Sequence, residues 1–111
     1  MTKQEHGNMI KSKIEELAKL ELEAANSRHP LFASNHEAYA VILEEVEEAT
    51  EELAHIKSLL SLSWKSVRHD YKDNFFNDIG KVALSLAQEA IQVAAMCDKA
   101  LMSDKARGGS E

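Results

Sequence analysis

Residues that break helices are nearly absent from this chain. Its 111 residues include one proline and four glycines, and two of those glycines lie in the terminal sequence GGSE. Both residue types disfavour the interior of a helix, whereas the Ala, Leu, Glu and Lys that fill the chain favour it. The sequence therefore predicts an all-α protein, a helical bundle of three main helices that is completed by homo-oligomerisation.

Apolar spacing and breaker residues place the three helices. The first is predicted over residues 4–25 and ends before Pro30. Ser34 opens the sequence SNHE, a capping-box pattern in which Glu37 reaches back to the start of the second helix. The second helix lasts to about residue 60 or beyond, and the third covers residues 78–104. The apolar face of the first helix is formed by Ile10, Ile14, Leu17, Ala18 and Ala25.

Two points of organisation follow from the same pattern. Residues 61–78, which hold four of the six aromatic residues, allow two interpretations. Either the second helix continues to residue 69 and the chain turns near residues 73–74, or the segment is a structured hairpin loop. The whole chain, residues 1–111, is predicted to be a single domain with a frayed tail at residues 105–111.

Charge and composition exclude several classes of function. The formal net charge is −6, which argues against binding of nucleic acid polymers because phosphate contacts need a basic surface. No apolar run reaches the length of a membrane span, and the N-terminus lacks the apolar region of a signal peptide. Cys97 is the only cysteine, so no intramolecular disulfide can form. We therefore expect a cytoplasmic protein with no membrane association.

The second helix carries two kinds of glutamate. Its predicted apolar seam consists of Ile42, Val46, Ala49, Leu53, Ile56 and Leu60. Glu44, Glu47 and Glu51 point away from that seam and are explained by solvation. Glu45, Glu48 and Glu52 instead form a stripe along its flank, and Val41 and Leu59 continue the stripe at either end. A flank with apolar ends and a carboxylate middle indicates that another helix packs there.

The third helix offers a carboxylate to meet that flank. Between residues 82 and 97 the only charged residue is Glu89. It interrupts an apolar row that consists of Val82, Leu86, Val93, Met96 and Ala100. A buried carboxylate must be protonated, paired with a Lys or Arg, or bound to a metal. Carboxylates that converge across a helix pair form a hard-oxygen site suited to Mg²⁺ or Mn²⁺.

These motifs resemble those of the all-α nucleoside triphosphate pyrophosphohydrolases, the superfamily that contains MazG and the dimeric dUTPases. EEVEE, residues 44–48, is similar to its EExxE motif, and EAIQ, residues 89–92, occupies the place of its ExxD motif. The resemblance covers residues 36–96 and is nearest to small MazG-like proteins of phages and mobile elements. It implies that Glu45, Glu48, Glu89 and Gln92 are metal ligands, with Glu44 as an outer member.

The resemblance also implies a reaction and an assembly. The activity would be Mg²⁺-dependent hydrolysis of a nucleoside triphosphate to the monophosphate and pyrophosphate, in a homodimer or homotetramer. Glu44 or Glu52 would orient or deprotonate the attacking water. Lys65, Arg68, Lys72 and Lys81 are the candidates to hold phosphates, and Trp64 or Tyr71 is a candidate to stack on the base.

Two alternatives remain open at this stage. Gln92 replaces the carboxylate that ends the ExxD motif, and the interval from Glu48 to Glu89 is longer than is usual for the family. Both departures favour a non-catalytic helical protein that acts as an oligomeric interaction module. The second alternative, a ferritin-like di-iron protein, rests on the pair Glu52 and His55. It needs a second ExxH pair, and the third helix has no histidine.

Overall fold

The computed structural model describes residues 1–108, and all of their regular secondary structure is α-helix. The helices are α1 (Lys3–Arg28), α2 (Asn35–Arg68) and α3 (Phe76–Ala106), with no strand among the described residues. The all-α prediction is therefore confirmed, as are three main helices. Within the predicted frayed tail, Lys105 and Ala106 are helical, and residues 109–111 lie outside the described part of the chain.

The helix ends follow local side-chain chemistry. Thr2 and Glu5 form a reciprocal capping box at the start of α1, which the sequence analysis did not identify. The predicted cap of α2 is confirmed, because the Ser34 hydroxyl accepts a hydrogen bond from the Glu37 N–H at 3.1 Å. Of the two interpretations of residues 61–78, the longer helix is correct, since α2 continues to Arg68.

The turn between α2 and α3 contains two residues with positive φ. Asp70 has φ 56° at the end of α2, where the Tyr71 N–H donates to the Ser66 carbonyl and the Asp70 N–H donates to the Val67 carbonyl. This pattern is a Schellman motif that has aspartate where glycine is usual. Phe75 has φ 64°, and its N–H donates to the Asp73 carboxylate. The chain thus reverses direction within a few residues.

The chain divides into two units. The first contains residues 1–44 and 91–111, of which 109–111 are not described, and the second contains residues 45–90. The buried apolar core lies in the first unit and consists of Ala25, Phe32, Ala38, Ala95 and Met96. The second unit is a helical hairpin made from the later part of α2 and the earlier part of α3.

Phe32 anchors the segment that joins α1 to α2. Its N–H donates to the Ser103 hydroxyl at 2.9 Å, and that hydroxyl donates to the Lys99 carbonyl at 2.7 Å. The Arg107 guanidinium donates to the Phe32 carbonyl at 2.6 Å and to the Asn35 amide oxygen at 2.9 Å. The Lys99 ammonium lies 5.0 Å from the centroid of the Phe32 ring. Contacts from α3 therefore hold the start of α2.

The faces of α1 and α2 differ from the predicted ones. Ala18 and Ala25 of α1 are buried, but Ile10, Ile14 and Leu17 are each close to half exposed. On α2 the predicted seam is only partly covered, since Ile42, Ala49 and Ile56 are half-buried whereas Val46, Leu53 and Leu60 are exposed. In the second unit the covered stripe combines two residues of that seam, Ala49 and Ile56, with the glutamate flank beside it. It comprises Glu45, Glu48, Ala49, Glu52, Ile56, Leu59, Ser63 and Ser66.

Candidate metal centre

Three glutamates of the second unit converge across its two helices. Glu45 and Glu48 come from α2 and Glu89 comes from α3, and one ligand oxygen of each lies within 4.8 Å of the others. All three side chains are half-buried. The structure therefore brings together three of the four carboxylates that helical periodicity placed on facing sides of the two helices, and they are the three that the resemblance implies as metal ligands.

The covered faces of the two helices explain this meeting. On α3 the half-buried positions in this unit are Ile79, Val82, Leu86 and Glu89, spaced three or four residues apart. Glu89 thus takes the place of an apolar residue on the covered face. On α2 the stripe that begins with the glutamates ends at Ser63 and Ser66, which are 2% and 6% exposed.

Those two serines are the residues that the sequence analysis missed in this unit. Both are small, and they continue the spacing of Glu52, Ile56 and Leu59 along α2. A stripe that ends in small side chains lets a neighbouring helix approach closely. That signal indicates that the glutamate flank belongs to the covered face of α2.

The environment of Glu89 disfavours its charged form. Burial raises the pKa of Glu89 above its ordinary value, and the side-chain hydrogen bond with Glu48 partly opposes that rise. The hydrogen bond with Glu45 raises the pKa further, as do the negative charges of Glu45 and Glu52. A bound cation would reverse these electrostatic effects, since it stabilises all of the carboxylates in their ionised form.

The donor set fits a hard divalent cation. Mg²⁺ binds oxygen ligands at about 2.1 Å, so two carboxylate oxygens on one ion lie roughly 3 Å apart or more. The three ligand oxygens lie within 4.8 Å of one another, which is close enough for one ion to contact all three. Softer metals prefer sulfur or imidazole ligands, and the cluster contains neither.

The other acidic candidates lie in different surroundings. Glu52 follows Glu48 by one helical turn, is half-buried, and its charge acts on Glu89. Glu44 is exposed and is not a member of the cluster. Gln92 follows Glu89 by three residues and is half-buried. Glu44 and Gln92 both belong to the first unit.

The basic candidates on α2 lie far from the carboxylates within one chain. At a rise of about 1.5 Å per residue, Lys65 is roughly 26 Å along the helix from Glu48, and Arg68 is roughly 35 Å from Glu45. Lys65, Arg68 and Trp64 are all exposed. The structure does not bring these three residues to the glutamates of their own chain.

Two further basic candidates lie elsewhere in the second unit. Lys72 is exposed in the turn that joins α2 to α3, next to Tyr71, whose ring stacks on that of His69. Lys81 is exposed on α3, about 12 Å along the helix from Glu89. Lys81 is therefore nearer to the cluster along a helix than Lys65 or Arg68.

Comparison with known proteins adds no relative to this description. No family model, curated protein or solved structure matches the chain. None of the described helices is both long enough and apolar enough to cross a membrane.

Proposed function

We propose that this protein is a Mg²⁺-dependent nucleoside triphosphate pyrophosphohydrolase that releases a nucleoside monophosphate and pyrophosphate. The observation that carries the proposal is the convergence of Glu45, Glu48 and Glu89 within 4.8 Å across two helices. The motif resemblance supports the reaction class. The half-buried setting supports metal binding, because an ion held there is partly shielded from water.

The residues of the candidate site have separate roles in this reaction. Glu45, Glu48 and Glu89 hold the cation, with Mn²⁺ as an alternative to Mg²⁺. When bound, the cation supplies positive charge to the phosphate oxygens as water attacks. Glu52, one turn beyond Glu48, orients that water and accepts its proton. Attack at the α-phosphorus breaks its bond to the oxygen that bridges the α- and β-phosphates, and pyrophosphate leaves with that oxygen.

A direct assay tests the proposal. The protein is incubated with Mg²⁺ and a panel of ribo- and deoxyribonucleoside triphosphates, and released pyrophosphate is measured. We expect turnover with at least one nucleotide, and loss of that turnover in Glu89→Gln. Glu47→Gln is the matched control, because Glu47 lies on the same motif but is exposed. Absence of pyrophosphate with every nucleotide contradicts the proposal.

A second candidate is a non-catalytic interaction module on the same scaffold. Gln92 favours it, because an amide provides a neutral oxygen where the resembling family has a carboxylate. The exposed apolar residues of α2 favour it too, since a surface of this kind suits binding to another protein. This candidate predicts no pyrophosphate release and no change in melting temperature when Mg²⁺ or Mn²⁺ is added.

A further inference from the structure

An exposed apolar stripe runs along the last part of α2. Leu60, Trp64 and Val67 are 56%, 62% and 49% exposed, and intervals of four and three residues place them on one side of the helix. A single exposed leucine is ordinary on a protein surface, but neighbouring large side chains that include a tryptophan are typical of a binding surface. The stripe belongs to the second unit, and the candidate metal centre makes no use of it.

Cationic side chains follow one edge of this stripe. Lys57, Lys65 and Arg68 are all exposed. At about 100° per residue they lie on the side of the stripe that faces away from the buried Ser63 and Ser66. Residues 53–69 contain no Asp or Glu, although the whole chain has a net charge of −6. The stripe and these cations form what we term the basic surface, which consists of Lys57, Leu60, Trp64, Lys65, Val67 and Arg68.

The cations of the basic surface have no carboxylate partner in the described part of the chain. The ion pairs between described residues lie on α1 and at the end of α3. The Arg68 guanidinium instead lies 3.4 Å from Nε2 of His69, and the His69 ring stacks on that of Tyr71 with 5.4 Å between the ring centroids. These contacts restrain Arg68 at the end of the helix, which reduces the conformational entropy that it loses when it binds a partner.

We propose that the basic surface binds an acidic amphipathic helix of another protein. The apolar face of that helix packs on Leu60, Trp64 and Val67, and its carboxylates lie against the cations along one edge. Trp and Arg are among the residues that contribute most to binding at protein interfaces. A carboxylate also suits Arg68 because it can accept two parallel hydrogen bonds from one guanidinium. The proposal concerns a surface outside the candidate metal centre and does not rest on the proposed catalytic function.

Charge and length distinguish this partner from a nucleic acid or a membrane. From residue 57 to residue 68 the basic surface is roughly 17 Å long. The preceding part of α2 carries the exposed Glu44, Glu47 and Glu51. A polynucleotide or an anionic lipid surface extends beyond that length and approaches these glutamates, which repel it. An acidic helix of a few turns can be confined to the basic surface, so it has the better charge complementarity.

A fluorescence titration with synthetic peptides tests the proposal. Trp64 is the only tryptophan of the chain, so its emission reports directly on the basic surface. The probe is a tryptophan-free amphipathic peptide of roughly 18 residues, with Leu on one face and Glu beside it, because shorter helices are marginal in water. The matched peptide has Lys in place of Glu. We expect a saturable blue shift with the acidic peptide at low salt, and binding at least about tenfold weaker with the Lys peptide. No saturable shift with the acidic peptide, or equal binding of both peptides, overturns the proposal.

Charge reversal within the protein gives an independent test that keeps Trp64 as the reporter. Lys65→Glu together with Arg68→Glu should weaken binding of the acidic peptide about tenfold or more and strengthen binding of the Lys peptide. Lys81→Glu is the matched control, because Lys81 is an exposed cation of the same unit outside the basic surface. All of these positions are exposed, so circular dichroism should show the wild-type helix content in each variant. Equal loss of binding in the control overturns the role of the basic surface.

Other occupants of the basic surface are decided with the same reporter. A single-stranded oligothymidine, and vesicles of phosphatidylserine and phosphatidylcholine, should leave the Trp64 emission unchanged. A shift with either probe that equals the shift with the acidic peptide, and that Arg68→Glu abolishes, overturns the assignment to a protein partner. Sedimentation equilibrium of the protein alone examines a second copy, and self-association that Arg68→Glu abolishes overturns the assignment as well. None of these measurements uses turnover, so their outcome is separate from that of the proposed function.

Discussion

Glu48 and Glu89 share a side-chain hydrogen bond although they belong to different helices. A hydrogen bond between two carboxyl groups requires that one of them carries a proton. Glu45 and Glu52 add negative charge to the same place, and that charge raises the pKa of Glu89 further. A proton on one carboxyl group reduces the repulsion among these negative charges, and a bound divalent cation does so too. The two therefore compete for the cluster.

The stability of the metal-free protein should fall as pH rises above the acidic range. The pKa of Glu89 is raised in the folded state, so the folded chain binds more protons than the unfolded chain between the two pKa values. The free energy of unfolding then decreases as pH rises from the unfolded pKa, about 4.3, through the folded pKa. Urea denaturation with a chelator present, at several pH values, measures this dependence.

Glu89→Gln should remove that contribution and make the metal-free protein more stable than wild type at neutral pH. An amide keeps the shape of the side chain and carries no charge to bury. Glu47→Gln serves as the control, since Glu47 is exposed. A Glu89→Gln variant with the same pH dependence as wild type would show that Glu89 is not the group responsible.

Divalent cations should stabilise the protein, and more so as pH rises. Binding requires ionised carboxylates, so affinity increases as Glu89 loses its proton. At a free concentration of 100 times Kd the gain is about 2.7 kcal/mol. Melting temperatures with and without Mg²⁺ or Mn²⁺, at mildly acidic and mildly alkaline pH, measure it. Glu48→Gln should lose most of the effect and Glu51→Gln should keep it. An equal response from these two variants would contradict the assignment.

Asp70→Gly should stabilise the turn between α2 and α3. Asp70 has φ 56°, a conformation that costs an L-residue about 1–2 kcal/mol and glycine almost nothing. Glycine also increases the entropy of the unfolded chain, which offsets part of the gain, so we expect about 0.5 kcal/mol. Asp70→Val should destabilise, and Asp70→Asn should change little. Urea denaturation of the three variants ranks them. Destabilisation by glycine would mean that the aspartate side chain itself supports the turn.

Ser103→Ala should destabilise the first unit by about 1–3 kcal/mol, because the buried Phe32 N–H loses its acceptor. Ser103 is fully buried, and its hydroxyl also donates to the Lys99 carbonyl. Ser27→Ala is the matched control, since that hydroxyl bonds only to the Ala24 carbonyl at an exposed position. Thermal unfolding followed by circular dichroism compares the two variants. Equal melting temperatures would rule out an anchoring role for Ser103.

Much of this arrangement was predictable from the sequence, because helix formation depends on local residues. The scarcity of proline and glycine predicts an all-α chain, apolar spacing predicts its three helices, and Ser34 marks the start of α2. Glu89 stands out because a charge in an apolar stripe needs an explanation. The half-buried flank of Glu45, Glu48 and Glu52 also follows from the spacing of residues around α2.

Other features depend on contacts between residues distant in sequence and were not predictable in the same way. The apolar seam of α2 looked like the buried side, yet α2 is also covered along its glutamate flank, and Val46, Leu53 and Leu60 of the seam stay exposed. Hydropathy alone cannot distinguish the face that packs within a chain from one that stays exposed. Lys65 and Arg68 are among the basic residues nearest to the glutamates in sequence, but the continuous helix α2 keeps them far from the glutamates in space.

The position of Arg107 changes how a shortened form of this protein should be designed. Its guanidinium holds the Phe32 carbonyl and the Asn35 side chain, and it lies one residue beyond the end of α3. A chain truncated after Ala106 still contains every residue of the three helices. It nevertheless loses the hydrogen bonds by which Arg107 holds the start of α2. A purification tag or truncation placed there should therefore loosen a segment more than 70 residues away in sequence.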